Sequence, residues 1–453
     1  MLSIRVERHA RGSGNLNRPT RCRSGSIEED VVGTFVLGPQ HKAFPPASWG
    51  EAAEDYSSER HPLTEFQTPT LTIDERAMAH NVAVLAEWTA ARGLQLAPHG
   101  KTTMAPALWQ QVLDAGAWGI TLATGWQVQL ARSFGVRRIL LANALVDPVA
   151  LRWLAGELGT HPEFEFFCWA DSIETVTAME SVLGEYELST PVGVIVELGA
   201  LGGRTGARTL EAALDVAGAV SRSKSLRLAG VGGYEGALAH DRSETALAAV
   251  TRYLDTLADL HEQLVASGAY EVETPIVTAG GSAYFELVAD RLERLVMTAT
   301  VLLRSGAYQV HDDGFYRAIS PFAEASVEDR FRAAMHGWAR VVSRPEAGLA
   351  ILDGGRRDFP FDEGMPMPQL VVGESEQRSA DILRGSRISK LNDQHAFLEL
   401  GDQVTIDMLP VGSVVRLGLS HPCTAFDKWR AIPVLDDASQ PQPLVIDVVR
   451  TYF

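Results

Sequence analysis

Residues 164–184 read FEFFCWADSIETVTAMESVLG. The first seven, Phe164 to Ala170, are almost entirely apolar and aromatic. A run that short and that apolar belongs to a strand covered on both faces. Ser172 then opens a helix-like segment as an N-cap candidate, with a glutamate close behind it.

Working outward in both directions, the same unit recurs. Toward the N-terminus lie LQLAP (94–98), GITLAT (119–124) and RILLANAL (138–145). Toward the C-terminus lie VGVIVEL (192–198), LRLAGVGGY (226–234), PIVTAGG (275–281) and TATVLLRSG (298–306). Helix-like segments separate them. Residues 106–116 and 125–135 end on Gly116 and Gly135, a C-cap signal, and 246–268 is a longer amphipathic stretch. A regular count to eight predicts an α/β fold, an eight-stranded parallel (β/α)8 TIM-like barrel. A doubly wound open sheet is the alternative.

Beyond about residue 320 the texture becomes alternating and β-rich, in GWARVVSR, GLAILDGG, HAFLEL, DQVTIDMLPVGSVVRLGLSHPC and PLVIDVVRTYF. This predicts a second, mostly β C-terminal domain. The expected organisation is an extension over 1–66, a barrel over 67–320 and a β domain over 321–453. The first 26 residues, rich in Arg, Ser, Gly and Asn, are expected to be a disordered tail. The run TPTLTID (68–74) precedes the barrel proper and is a candidate to join the β domain.

Of 453 residues, 46% are hydrophobic and 21% charged, as in ordinary globular chains, and the formal net charge is -17. That charge disfavours nucleic acid and anionic membranes as partners. No apolar run reaches the roughly 18–20 residues of a membrane span. The three cysteines, Cys22, Cys168 and Cys423, are scattered and odd in number. They predict no disulfide framework and a reducing, cytoplasmic setting. Cys168 sits in an apolar strand and is expected to be a buried small hydrophobe.

In such barrels the reactive groups sit where strands end. Lys101 follows the first strand, in APHGKTTMAP, among few acids. Gly280, Gly281 and Ser282 follow the seventh, and Gly306 and Tyr308 the eighth. Glycine backbones admit a phosphate to their N–H groups, and the Ser282 and Tyr308 hydroxyls could donate as well. An amine and a phosphate site on one rim suggest pyridoxal phosphate held covalently by Lys101. A solvated turn lysine and ordinary glycine turns are the plainer alternatives. A second constellation is SHPC, where His421 and Cys423 stand two apart after a strand. Side chains at i and i+2 on extended backbone point the same way, and an imidazole with a thiolate suits Zn2+.

Taken in order, PTLTID, APHGKTTMAP, GAWGITLATGWQ, ILLANALV, VELGALGGRTG, GVGGYEG, TAGGSAYF, RSGAYQVHD, LDGG, QHAFL and SHPCTAFDKW resemble the D-serine dehydratase and D-threonine aldolase family of alanine-racemase-fold, fold type III enzymes. The bacterial amino acid deaminase branch is the nearest likeness. The resemblance spans about residues 67–450. It implies pyridoxal 5'-phosphate on Lys101, with His99, Arg204 and Tyr234 near the cofactor. It also implies zinc on His421 and Cys423 beside the substrate hydroxyl. The implied activity is an ammonia-lyase that converts a D-β-hydroxy amino acid such as D-serine to a 2-oxo acid and ammonia. D-threonine aldolase chemistry is the alternative, with racemisation or cofactor carriage behind it. A homodimer is implied too. Thr103, Met104 and Ala97 depart from the better-known dehydratases, which carry a second histidine, a basic residue and an arginine there. Asp241 stands near the place of a second tyrosine that is missing here. These departures bear on the substrate.

Overall fold

A computed structural model describes residues 35–453. The expected disordered tail and Cys22 lie outside the described residues. β1 (Thr70–Asp74) comes first. Eight short strands then form one parallel sheet: β2 (Gln95–Leu96), β3 (Ile120–Leu122), β4 (Arg138–Ala144), β5 (Glu165–Ala170), β6 (Val192–Leu198), β7 (Leu226–Gly233), β8 (Ile276–Ala279) and β9 (Thr300–Leu303). Their order is β2-β9-β8-β7-β6-β5-β4-β3. The ring closes where Trp118 N–H donates to Leu96 O at 2.7 Å and Thr121 N–H to Pro98 O at 2.9 Å. The fold is a TIM-like barrel.

The stretch 164–184 shows why the strands are so uniformly apolar. Phe167 and Trp169 point into the barrel, beside Leu140, Ile195 and Leu302. Phe166, Cys168 and Ala170 point outward under the helices. Both faces are buried from Phe166 to Ala170, so the one charged residue of the strand is Glu165 at its exposed start. The Ser172 side chain caps the helix Ile173–Leu183 by accepting from Thr175 N at 3.1 Å. Gly116 and Gly135 take φ of 94° and 78° just past the helices Pro106–Asp114 and Gly125–Ser133, where an L side chain would be strained. Cys168 is fully buried, and burial pushes its thiol up to about 12.

The second layer is a sheet of β1 with β10 (Met335–Glu346), β11 (Leu349–Leu352), β12 (Met367–Val371), β13 (Arg387–Leu391), β14 (Ala396–Glu399), β15 (Val414–Gly418), β16 (Ala431–Leu435) and β17 (Val445–Arg450). β1 pairs antiparallel with β10 and parallel with β16. The strand at 70–74 therefore belongs to this sheet and not to the barrel, although the boundary at 67 had placed it with the barrel. All five of its residues are buried, and the Asp74 carboxylate at its end accepts from Ala77 N and Ala438 N. Residues from Leu37 to Phe66 pack on the same sheet, with Leu37, Phe44, Tyr56 and Phe66 in one core with Trp338 and Leu435.

One stretch departs from expectation. DQVTIDMLP alternates but forms turns, with Val404 N bonded to Gly401 O and Met408 N to Thr405 O. Val404 and Leu409 are buried without a strand, and Gly412 at φ 99° turns the chain into β15. Among the described residues no helix is long and apolar enough to cross a membrane.

Candidate active site

The strand ends of the barrel and one edge of the second sheet enclose a cavity of about 390 Å³. His99, Lys101, Arg204, Tyr234, Gly280, Gly281, Ser282, Gly306, His421 and Cys423 all line it. Tyr308 does not. It is 1% exposed in the barrel core, its ring tilted at 48° to that of Phe331 at 5.9 Å, and burial holds its phenol far above the usual value. The turn after β9 therefore presents Gly306 to the cavity and sends Tyr308 inward, so Tyr308 is not placed to donate to a phosphate.

Lys101 stands in the single turn Gly100–Thr102 after β2. The turn is tight because Gly100 packs under Trp109, whose Nε1–H donates to Gly100 O at 3.0 Å. A Cβ on Gly100 would come within 2.7 Å of that Nε1. Burial lowers the Lys101 amine below the ordinary lysine value. Cys423 opposes that shift, and the Arg204 and Arg304 charges add to it. An amine so placed is available unprotonated nearer neutrality. His99 is half-buried beside it, with its Nδ1 buried and unpartnered. Burial, with the charges of Lys101, Arg304 and Arg204, holds it neutral.

Two glycine loops face the lysine. Gly280 adopts φ 105°. The N–H groups of Gly280 and Gly281 donate to the fully buried Glu235 carboxylate at 2.8 and 2.9 Å. Those donors, expected from the sequence to face a phosphate, already have an anionic partner, which leaves Ser282 and the Gly306 turn. A Cβ on Gly306 would strike His99 O at 2.6 Å, so this loop must be glycine to approach the lysine turn. Tyr234 lies over Gly281, with the Arg204 guanidinium 5.3 Å from its ring centre. Burial, with Glu235 adding, pushes its phenol up to about 12. Arg208 pins the Arg204 loop by donating to the carbonyls of Gly203, Arg204, Thr205 and Gly206.

Several lining residues escaped the sequence reading. Arg304 ends β9 with its guanidinium buried, donating to Thr278 Oγ1 at 2.6 Å and Gly233 O at 2.5 Å over the Trp169 ring. A charge closing an apolar strand was the available signal. Glu197 accepts from Thr205 Oγ1 at 2.8 Å, and burial raises its carboxyl. Asp362, which does not line the cavity but bonds His421, stands in a segment without regular structure and left no sequence signal.

His421 and Cys423 enter the cavity from the second sheet. His421 Nδ1 is 2.5 Å from Asp362 Oδ2, which leaves Nε2 as the ring nitrogen that Asp362 does not engage. Its hydrogen bond to Cys423 pulls the imidazole up to about 9, with Asp362 contributing. Burial alone would raise the Cys423 thiol, yet hydrogen bonds from His421 and Thr102 and the charges of His421 and Lys101 bring it down. Thr102 Oγ1 and Cys423 Sγ are 3.3 Å apart, so the residue after Lys101 touches the thiolate. Among the described residues no cluster of three or more His, Cys, Asp or Glu side chains is arranged for a metal.

With this geometry in hand, comparison with known proteins gives a consistent picture. The model of a putative serine dehydratase domain matches residues 334–435. A 3-hydroxy-D-aspartate aldolase of Paracoccus denitrificans is 24% identical over 79% of this chain and 86% of its own length. A D-threo-3-hydroxyaspartate dehydratase of Delftia sp. is 25% identical over 82% and 95%. A D-threonine aldolase structure from Filomicrobium marinum superposes with a TM-score of 0.72, at 24% identity over 86% of this chain and 97% of that one. The chain shares the fold of these D-amino acid enzymes and of alanine racemase, and its residues 334–435 match the serine dehydratase domain model. A D-threo-3-hydroxyaspartate dehydratase variant solved in a metal-free form also superposes on this chain, at a TM-score of 0.68, 21% identity and coverage of 87% and 99%.

Proposed function

We propose that this chain is a lyase of D-β-hydroxy amino acids that uses pyridoxal phosphate and a divalent metal, zinc by its ligands, and releases ammonia and a 2-oxo acid. One observation carries the reading. Lys101 and the His421–Cys423 pair meet in one cavity, joined through the Thr102–Cys423 contact of 3.3 Å.

The residues fit the cofactor. A half-buried amine of lowered pKa, an unpartnered buried His99 nitrogen and a glycine turn with no room for a Cβ suit an aldehyde-bearing phosphate. Lys101 would hold it, Ser282 and Gly306 would face its phosphate, and Tyr234, Arg204 and His99 would border it. The residues fit a metal also. Asp362 holds His421 through Nδ1 and leaves Nε2 to the cavity side, as carboxylate partners do for zinc-bound histidines, and Cys423 supplies a sulfur whose pKa is lowered. When bound, the cofactor supplies an electron sink for the α-carbon and the metal a Lewis acid for the β-oxygen.

The chain's own groups divide the work. The Lys101 amine takes the α-proton, and its lowered pKa favours the free base. Neutral His99 adds no competing charge beside it. The Arg204 guanidinium, exposed above the Tyr234 ring, is a candidate for the substrate carboxylate. The resemblance to aldolases favours a second reading, cleavage of Cα–Cβ to glycine and an aldehyde from the same site.

The test is incubation with D-serine, D-threonine and D-threo-3-hydroxyaspartate, with and without EDTA. Ammonia with 2-oxo acid, lost in EDTA and in Lys101→Ala, is the expected result. Glycine with aldehyde moves the assignment to aldolase. Neither product overturns both. A cytoplasmic homodimer belongs to the same reading, supported by the free thiols Cys168 and Cys423 for its compartment and tested by sedimentation for its assembly.

A further inference from the structure

The side of the cavity that holds His421 is built by two domains, and one buried carboxylate joins them. Asp312 is fully buried in the turn that leaves the barrel. Its Oδ1 accepts from the backbone of its own segment, Gly314 N at 3.1 Å and Tyr316 N at 2.9 Å. Its Oδ2 crosses to the second domain and accepts from His421 N at 2.9 Å. Neighbouring bonds run in register with it. Asp313 N donates to Leu419 O at 2.9 Å and Phe315 N to Ser420 Oγ at 3.1 Å. Gly314 makes this approach possible, since a Cβ there would lie 2.6 Å from Ser420 Oγ.

The clasp acts at a strained point. His421 has φ 57°, a left-handed conformation unfavourable for a residue with a Cβ. Such a conformation persists only where surrounding bonds impose it. Asp312 supplies one from the backbone side, while Asp362 fixes the ring from the other. Tyr316, whose N–H shares the Asp312 carboxylate, also lines the cavity.

We propose that Asp312 is a positioning residue: by dividing its two oxygens between the barrel and His421, it sets the His421–Cys423 pair against the Lys101 turn. This rests on the reading of that pair as metal ligands. An asparagine at 312 keeps the size but turns one acceptor into a donor, so one side of the clasp must open.

The experiment compares Asp312→Asn and Ser420→Ala with the parent, as full chains. Hydrogen exchange is followed in cofactor-free, metal-free protein at the peptide containing His421. Zn2+ affinity is measured by competition with a chromophoric chelator, and pyridoxal phosphate uptake by absorbance. Asp312→Asn is expected to speed exchange at His421 at least tenfold and weaken Zn2+ at least tenfold, with cofactor uptake held within twofold. Ser420→Ala is expected to move the same two readouts in the same direction by less. Unchanged exchange at His421 in both variants overturns the proposal. So does loss of protection throughout the barrel together with cofactor uptake, which marks general unfolding. A parent protein that takes up no Zn2+ defeats the metal reading instead, and exchange at His421 then decides the clasp by itself.

Discussion

Lys101 and Thr102 are adjacent in sequence and face different chemistry: the amine faces the cavity, and the hydroxyl touches Cys423 Sγ at 3.3 Å. At this scale charge decides the behaviour. His421 sits near 9 because of the Cys423 contact and then Asp362, so in metal-free protein it is protonated at neutral pH. A metal must displace that proton, whereas Cys423, with its lowered pKa, competes less. Zn2+ affinity is therefore expected to rise with pH up to about 9 and to fall about tenfold per unit below it. Chelator competition between pH 6.5 and 8.5 checks this, and a flat profile would contradict it. The places of Lys101, His421 and Cys423 on the cavity were legible in the sequence, because each stands beside a glycine or proline turn at the end of an apolar run, while that of His99 came through the resemblance. Asp362 was not, because nothing local marks a carboxylate whose role is to reach His421 across 59 positions.

Among the elements, the loop after β8 shows how a strand end becomes a binding edge. GGS was predictable as a turn of exposed N–H groups. What the turn does depends on Glu235, 45 positions upstream of Gly280, whose carboxylate takes both glycine N–H groups. Glu235→Gln would leave one of these donors facing an amide N–H2. The expected cost is about 1–3 kcal/mol in urea denaturation, the usual penalty for an unmet buried donor. Pyridoxal phosphate affinity should fall with it, since Ser282 follows on the same loop. A variant with parental stability and affinity would show that the Glu235 bonds are dispensable. The β domain illustrates the opposite error. DQVTIDMLP alternates like a strand, yet Gly401, Pro410 and Gly412 bracket it with turns and its apolar side chains are buried singly. Alternation reports burial on one side, which a loop lying on a core also has.

For the whole molecule, stability depends on groups remote from the cavity. His261, on the helix Glu244–Ala266, is fully buried, with Nδ1 2.9 Å from the Tyr270 hydroxyl and Nε2 3.2 Å from that of Thr298. Burial pulls it down to about 4, so the folded state refuses a proton that the unfolded chain accepts below about 6.5. Its stabilising contribution is complete above that pH and is lost as pH falls toward 4. Replacing His261 with Gln removes this dependence. The slope of unfolding free energy between pH 6.5 and 4.5 should flatten by about 1.4 kcal/mol per unit relative to the parent. Equal slopes would show that His261 titrates alike in both states.

The sequence by itself determined the barrel, its eight strands, the β-rich second domain and the rim on which Lys101 and the glycine turns fall. These follow from local rules: burial on both faces makes a strand uniformly apolar, and strand ends set where turns lie. Only the tertiary structure decided that β1 joins the second sheet, that Tyr308 turns inward, and that Glu235, Arg304, Asp312 and Asp362 serve the cavity. Each of those residues acts through a partner far along the chain, and hydrophobic periodicity carries no record of which distant backbone a buried charge will meet.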